Sequence, residues 1–163
     1  MVILGLDPAL SVTGYSVIKK TDQGLTLLDS GVIRTKSKDL LSYRIKSIAD
    51  QVEKIVTIHH PEHAVLEECF LGRNVKTALL LGEVRGALLL IIRSAQIDIY
   101  EYSARVVKMA LVGYGAASKT QVQFMVKNML NLKAQSLSHD ETDAMAVAIC
   151  HIHHNQFQKE KLV

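Results

Sequence analysis

Apolar positions in the first third of the chain follow strand periods. The run Val-Ile-Leu-Gly-Leu-Asp at 2–7 is almost continuously apolar and stops at Asp7-Pro8, since proline cannot donate to a ladder and steers the preceding residue away from helix. Residues 12–20 and 25–35 are β-rich runs separated by the turn signal Thr21-Asp-Gln-Gly24. Three strands so close together predict an antiparallel meander. The period then changes. Leu41, Ile45, Ile48, Val52, Ile55 and Val56 recur at three- and four-residue steps, which predicts an amphipathic helix ending near His60-Pro61. Residues 63–67 (HAVLE) have the profile of a buried central strand.

A long helix follows, capped by Asn74 and running to about Ser94, then a fifth strand at 97–102. Helices are predicted at 104–111, 118–130 and from 138 to about 155, with 156–163 as a frayed tail. Ser118-Lys-Thr-Gln121 and Ser138-His-Asp-Glu141 both match the capping box. The order predicts one α/β domain over 1–163: a five-stranded mixed sheet, its first three strands antiparallel, flanked by helices. The 75–94 helix is apolar on almost every side, more than one sheet face can bury. Leu79, Gly82, Gly86 and Leu89 are therefore candidates for a two-fold interface between copies, the glycines permitting close backbone approach.

Composition narrows the class. At 163 residues, 48% hydrophobic and 21% charged, with only 2 prolines, the chain is neither disordered nor collagen-like. Its greasiest stretch, 75–95, is broken by Lys76, Glu83, Arg85 and Arg93 and does not predict a membrane span. The chain opens on a strand and shows no signal-peptide pattern, and two cysteines make no disulfide framework, so the reducing cytoplasm is the expectation. A net charge of +3 says little by itself. Sorted by position it says more: residues 69–139 hold nine basic side chains against three acidic ones.

The candidate chemistry lies in four carboxylates. Asp7 and Glu67 each end an apolar strand, where ligand sites open in α/β sheets. Asp140 and Asp143 lie three apart at a helix start, hence on one face. If that helix packs its first turn over the strand ends, the four acids converge. Converging carboxylates repel unless a cation lies between them, and hard oxygen donors suit Mg²⁺ or Mn²⁺, one or two ions per site. Such a site hydrolyses phosphodiesters. Lys119, in the first turn after Gly113-Tyr-Gly-Ala-Ala-Ser118, is placed to meet a phosphate together with the free N–H groups of a helix start.

Four segments in order, ILGLDPALSVTGYSVI, VLEECFLGRNVKTALLLGEVRGA, SARVVKMALVGYGAASKTQVQFMV and SHDETDAMAVAICHIHH, resemble bacterial RuvC-type Holliday-junction resolvases almost end to end. The resemblance implies an RNase H-like fold, a homodimer, and Mg²⁺-dependent paired nicking of four-way DNA junctions in recombination and repair. It implies Asp7, Glu67, Asp140 and Asp143 as catalytic, metal-holding residues, and the branch-migration complex (RuvA- and RuvB-type proteins) as partner. It also implies DNA contacts from Lys108 and Lys119, and an aromatic at Phe70 near the branch point, stacked on an unpaired base. Arg73 and Lys76 are further phosphate candidates. Ala9 and Ser16 depart from the family's usual glycines, and an alanine after Asp7-Pro8 disfavours a positive φ in that turn. His139 adjoins the acids and reads as a solvent-facing helix start. His151, His153 and His154 read as an ordinary polar helix end and Cys150 as core. Two rivals remain: a nuclease cutting RNA–DNA hybrids, and a catalytically silent junction-binding module.

Overall fold

A computed structural model describes residues 1–68, 74–132 and 136–160, with side chains as far as Asn155. The meander forms as the turn signals direct: β1 (Val2–Asp7), β2 (Val12–Thr21) and β3 (Gly24–Arg34) are antiparallel neighbours. Helix α1 (Leu41–His59) ends at His60, whose left-handed φ of 45° closes it before Pro61. The chain crosses back as β4 (His63–Glu67), parallel to β1. Helix α2 (Val75–Ser94), whose Asn74 cap accepts from the Thr77 N–H at 3.2 Å, leads to β5 (Asp98–Tyr102), parallel to β4. The sheet order is β3-β2-β1-β4-β5, the mixed five-stranded sheet expected, with the parallel pair β1 and β4 buried toward its centre and β5 at the edge.

Alternation sends side chains to two cores. Leu4, Leu6, Ala64 and Leu66 face α1 and α2, while Ile3, Ile18 and Val65 face the other side with α3 (Ala104–Val112), α4 (Lys119–Met129) and α5 (His139–Glu160). From Ala144 to Cys150 every α5 residue is buried, because the sheet covers one face and α3 and α4 the other. Helix α2 has a similar apolar run and a different environment. Val84, Leu88 and Ile92 are buried, while Val75, Leu79, Gly82, Gly86 and Leu90 form an exposed stripe, with Leu89 half-buried at its flank.

Helix α5 runs to Glu160 rather than to about Asn155, for Gln156-Phe-Gln-Lys-Glu160 contains good helix formers and no breaker. His151 also differs from expectation. It is 2% exposed, and its ring nitrogens meet His63 Nδ1 and the Tyr102 hydroxyl, each at 2.9 Å. Of the polar helix end only His154 is exposed, its ring stacked on Tyr102. The helix is wrapped by β4 and β5 on this side, so a histidine there must be satisfied internally.

Candidate active site

The site begins with the close approach of α5 to the sheet. A Cβ on Gly14 would lie 2.0 Å from the Asp140 carbonyl oxygen, and one on Gly5 would lie 2.1 Å from that of Ala144. Only glycine at these positions lets the helix start descend onto β1 and β2. Ser16 accommodates the same approach, being fully buried with its hydroxyl donating to the Ala144 carbonyl at 3.0 Å. The expected capping box closes the helix start: Ser138 N–H donates to Glu141 Oε2 at 3.0 Å and Glu141 N–H to Ser138 Oγ at 3.2 Å.

Asp7 and Glu67 stand side by side. The β1–β4 register pairs Leu6 with Leu66, so the next residues on each strand are these two acids, with the parity that faces α5. The turn beyond Asp7 is braced by Thr13, whose hydroxyl donates to the Ala9 carbonyl at 2.6 Å and accepts the Ala9 N–H at 3.2 Å. Ala9 is not among the positive-φ residues, so alanine fits there without strain.

Burial, then the charges of Asp143, Glu67 and Asp140, push the Asp7 carboxyl up to about 7, with Lys119 opposing. Burial and Asp143 likewise raise Glu67, against Lys119 and Lys108. All four predicted acids therefore act on one centre. Among the described residues, no three acidic, histidine or cysteine side chains close tightly enough to enclose an ion as they stand. An all-oxygen donor set with unmet negative charge fits a hard divalent cation.

Lys119 supplies part of the missing positive charge. Its Nζ lies 2.9 Å from Asp143 Oδ2, and both that hydrogen bond and the neighbouring acids raise its own pKa. The expectation had Lys119 and the helix-start N–H groups facing a phosphate together; in the structure the lysine faces Asp143. The Ser118 capping box already engages two of those groups, Ser118 N–H with Gln121 Oε1 at 2.8 Å and Gln121 N–H with Ser118 Oγ at 3.3 Å. Lys108 lines the same cleft of about 120 Å³ with Glu67, Lys119 and Asp143. Lys76 is exposed in the first turn of α2. Phe70 and Arg73 lie outside the described residues. His139 is exposed at the first position of α5, facing solvent as expected.

One residue beside the site escaped sequence reading. Arg85 reaches from α2 to the Glu67 carbonyl, its Nη1 donating at 3.3 Å, and pairs with Glu101. The available signal was a lone cation on the buried arc of an apolar helix, next to Val84.

Comparison with known proteins agrees with this arrangement. A family model described as "Crossover junction endodeoxyribonuclease RuvC" matches residues 3–151. A protein of that name from Acinetobacter baylyi is 44% identical over 151 residues, covering 93% of this chain and 82% of the relative. The Thermus thermophilus RuvC structure superposes with a TM-score of 0.88 at 30% identity, over 97% of both chains. The same TM-score holds, at 27% identity and 96% coverage of each chain, for T. thermophilus RuvC in complex with Holliday junction substrate. The sheet is thus an RNase H-like one, and with almost the whole length matched, the chain belongs to the RuvC crossover junction endodeoxyribonuclease family.

Proposed function

We propose that the chain resolves four-way DNA junctions by metal-dependent hydrolysis of phosphodiesters, in recombination and repair. The observation that carries this reading is the convergence on half-buried Asp7 of three further carboxylates from β4 and α5, burial first and then their charges pushing its pKa up to about 7, with Lys108 and Lys119 at the rim. Asp7, Glu67, Asp140 and Asp143 would hold the cation. Bound there, Mg²⁺ or Mn²⁺ supplies the positive charge that lets the acids ionise at neutral pH and the Lewis acidity that activates a water against phosphorus.

The chain's own residues do the rest. Gly5 and Gly14 set the depth of α5 and therefore the height of Asp140 and Asp143 above the strand ends. Lys119 neutralises Asp143 in the absence of DNA and, with Lys108, offers ammonium donors to a backbone phosphate entering the cleft. The family resemblance assigns a DNA-stacking role to Phe70, and Arg73 and Lys76 are further phosphate candidates.

Two cuts on opposed strands need two such centres, and a C₂ dimer supplies them. The exposed apolar stripe of α2, with open space at Gly82 and Gly86, supports a homodimer through that helix. Family membership supports the branch-migration complex as the partner that delivers the junction, and the cytoplasm as the place of action; no helix among the described residues is long and apolar enough to cross a membrane.

Incubating a mobile four-way junction with Mg²⁺ tests the reading. Asp7→Asn and Asp143→Asn should bind the junction and fail to cut it. Unimpaired cleavage by both variants overturns the assignment, and faster cutting of an RNA–DNA hybrid than of the junction would favour a hybrid nuclease.

A further inference from the structure

Arg85 is the one cation on the sheet-facing arc of α2, and its side chain is only 13% exposed. Holding a guanidinium there is expensive, and an aliphatic side chain would pack against Val84 and Leu88 at lower cost. Its contacts show what the charge is used for. One arm, Nη1, donates to the backbone carbonyl of Glu67 at 3.3 Å, while the other, Nη2, pairs with Glu101 Oε1. The fork thus spans the C-terminal ends of β4 and β5.

Strand alternation puts this clamp behind the site. Tyr100 and Tyr102 face α5, so Glu101 between them faces α2; Glu67 points the opposite way, toward Asp7 and Asp143. Glu67 is the last residue of its strand, and just beyond it the Glu68 N–H donates to the Tyr102 carbonyl at 2.9 Å. A carboxylate at a strand terminus is held less firmly than one in mid-sheet, and a carboxylate that holds a metal tolerates little drift.

We propose that Arg85 is a positioning residue for the proposed active site: it locks the end of β4 to β5 from the rear of the sheet, so that the Glu67 carboxylate is presented to the cation at fixed height. The proposal rests on the nuclease reading above. Lysine cannot replace it, because a single ammonium lacks the planar fork that meets a carbonyl and a carboxylate together.

The test uses the full chain with Arg85→Lys and Glu101→Gln, beside wild type. Calorimetric Mn²⁺ titration without DNA reads the site itself, and single-turnover junction cleavage reads its consequence. Arg85→Lys should weaken Mn²⁺ binding by fivefold or more and slow cleavage by about tenfold at saturating metal, with metal-free junction affinity unchanged and the melting temperature within a few degrees of wild type. Glu101→Gln should shift both readouts in the same direction by less. Wild-type Mn²⁺ affinity and cleavage in Arg85→Lys would overturn the clamp, as would junction binding and melting that fall in step with activity, which would mark Arg85 as a packing residue only. If wild type itself neither binds Mn²⁺ nor cuts the junction, the nuclease reading falls and takes the clamp with it.

Discussion

Replacing Asp7 with asparagine should make the metal-free protein more stable. Asp7 is half-buried among acids, and its pKa stands at about 7 in place of 3.8. A raised carboxyl pKa means that the folded state holds a proton which the unfolded chain has released. Folding stability therefore falls as pH rises from 3.8 to about 7, and the penalty is complete above that. The displacement corresponds to about 4 kcal/mol, reduced to about 2–4 because Glu67 and Asp143 can share the strain. Asparagine keeps the shape and removes the charge. In chelator at pH 8, urea unfolding of Asp7→Asn should give a stability about 2–4 kcal/mol above wild type, a rise in melting temperature of about 4–16 °C. At pH 4 the two proteins should converge. Added Mg²⁺ should stabilise wild type more than the variant, which loses cleavage. An Asp7→Asn protein no more stable than wild type in chelator at pH 8 would refute the claim that repulsion is stored at this site.

The remaining predictions concern the frame around the acids. Burial first, then His63 and His154, lowers His151 to about 4, so the folded state resists a proton that the unfolded chain takes up. His151 should thus contribute full stability above pH 6.5 and lose about 1–3 kcal/mol as pH falls toward 4, the lower end allowing for solvent screening. The opposite slope of Asp7 hides this, so unfolding is best followed in Asp7→Asn; an equal pH slope after adding His151→Gln would count against it. Gly14→Ala puts a methyl 2.0 Å from the Asp140 carbonyl oxygen, and should cost about 1–3 kcal/mol in urea unfolding while cleavage falls further than junction binding; unchanged cleavage would show that helix height is not critical. Leu79→Glu with Leu90→Glu charges the exposed stripe of α2, and sedimentation at micromolar concentration should then report a monomer; a persisting dimer would place the interface elsewhere.

The elements were legible in the sequence because each carries its own local signature. The β1 stop at Asp7-Pro8, the Asn74 cap and both capping boxes are local chemistry, and all lie where the pattern put them. The acids were legible for a related reason: two end apolar strands, and two share a helix face. Contacts between distant segments were not. The pairing of Lys119 with Asp143 was invisible, because the two lie 24 residues apart. His151 looked polar and solvated, since its partners come from the start of β4 and the end of β5. Arg85 was hidden by its apolar neighbours, its carbonyl partner lying 18 residues back.

Helices α2 and α5 show why composition alone could not separate site from surface. Both carry long apolar runs, leucine-rich in α2 and alanine-rich in α5. Their glycine partners differ. Gly5 and Gly14 belong to the sheet and let α5 sink until its backbone touches the strands, so its first turn must present Asp140 and Asp143 at the strand ends. Gly82 and Gly86 belong to α2 itself and meet nothing within 4 Å, so the space they leave opens outward. In each case small residues mark where a backbone can approach another. On α5 that approach is made within the chain and builds the acidic centre. On α2 the space stays open, where the proposed homodimer would form, and Arg85, on the helix's inner side, ties that outward-facing helix to the strand end that carries Glu67. A perturbation of the α2 stripe should therefore reach Glu67 through Arg85 as well as through the core that Val84 and Leu88 share with Leu66, and Arg85→Lys should cut the first of these routes while leaving the second.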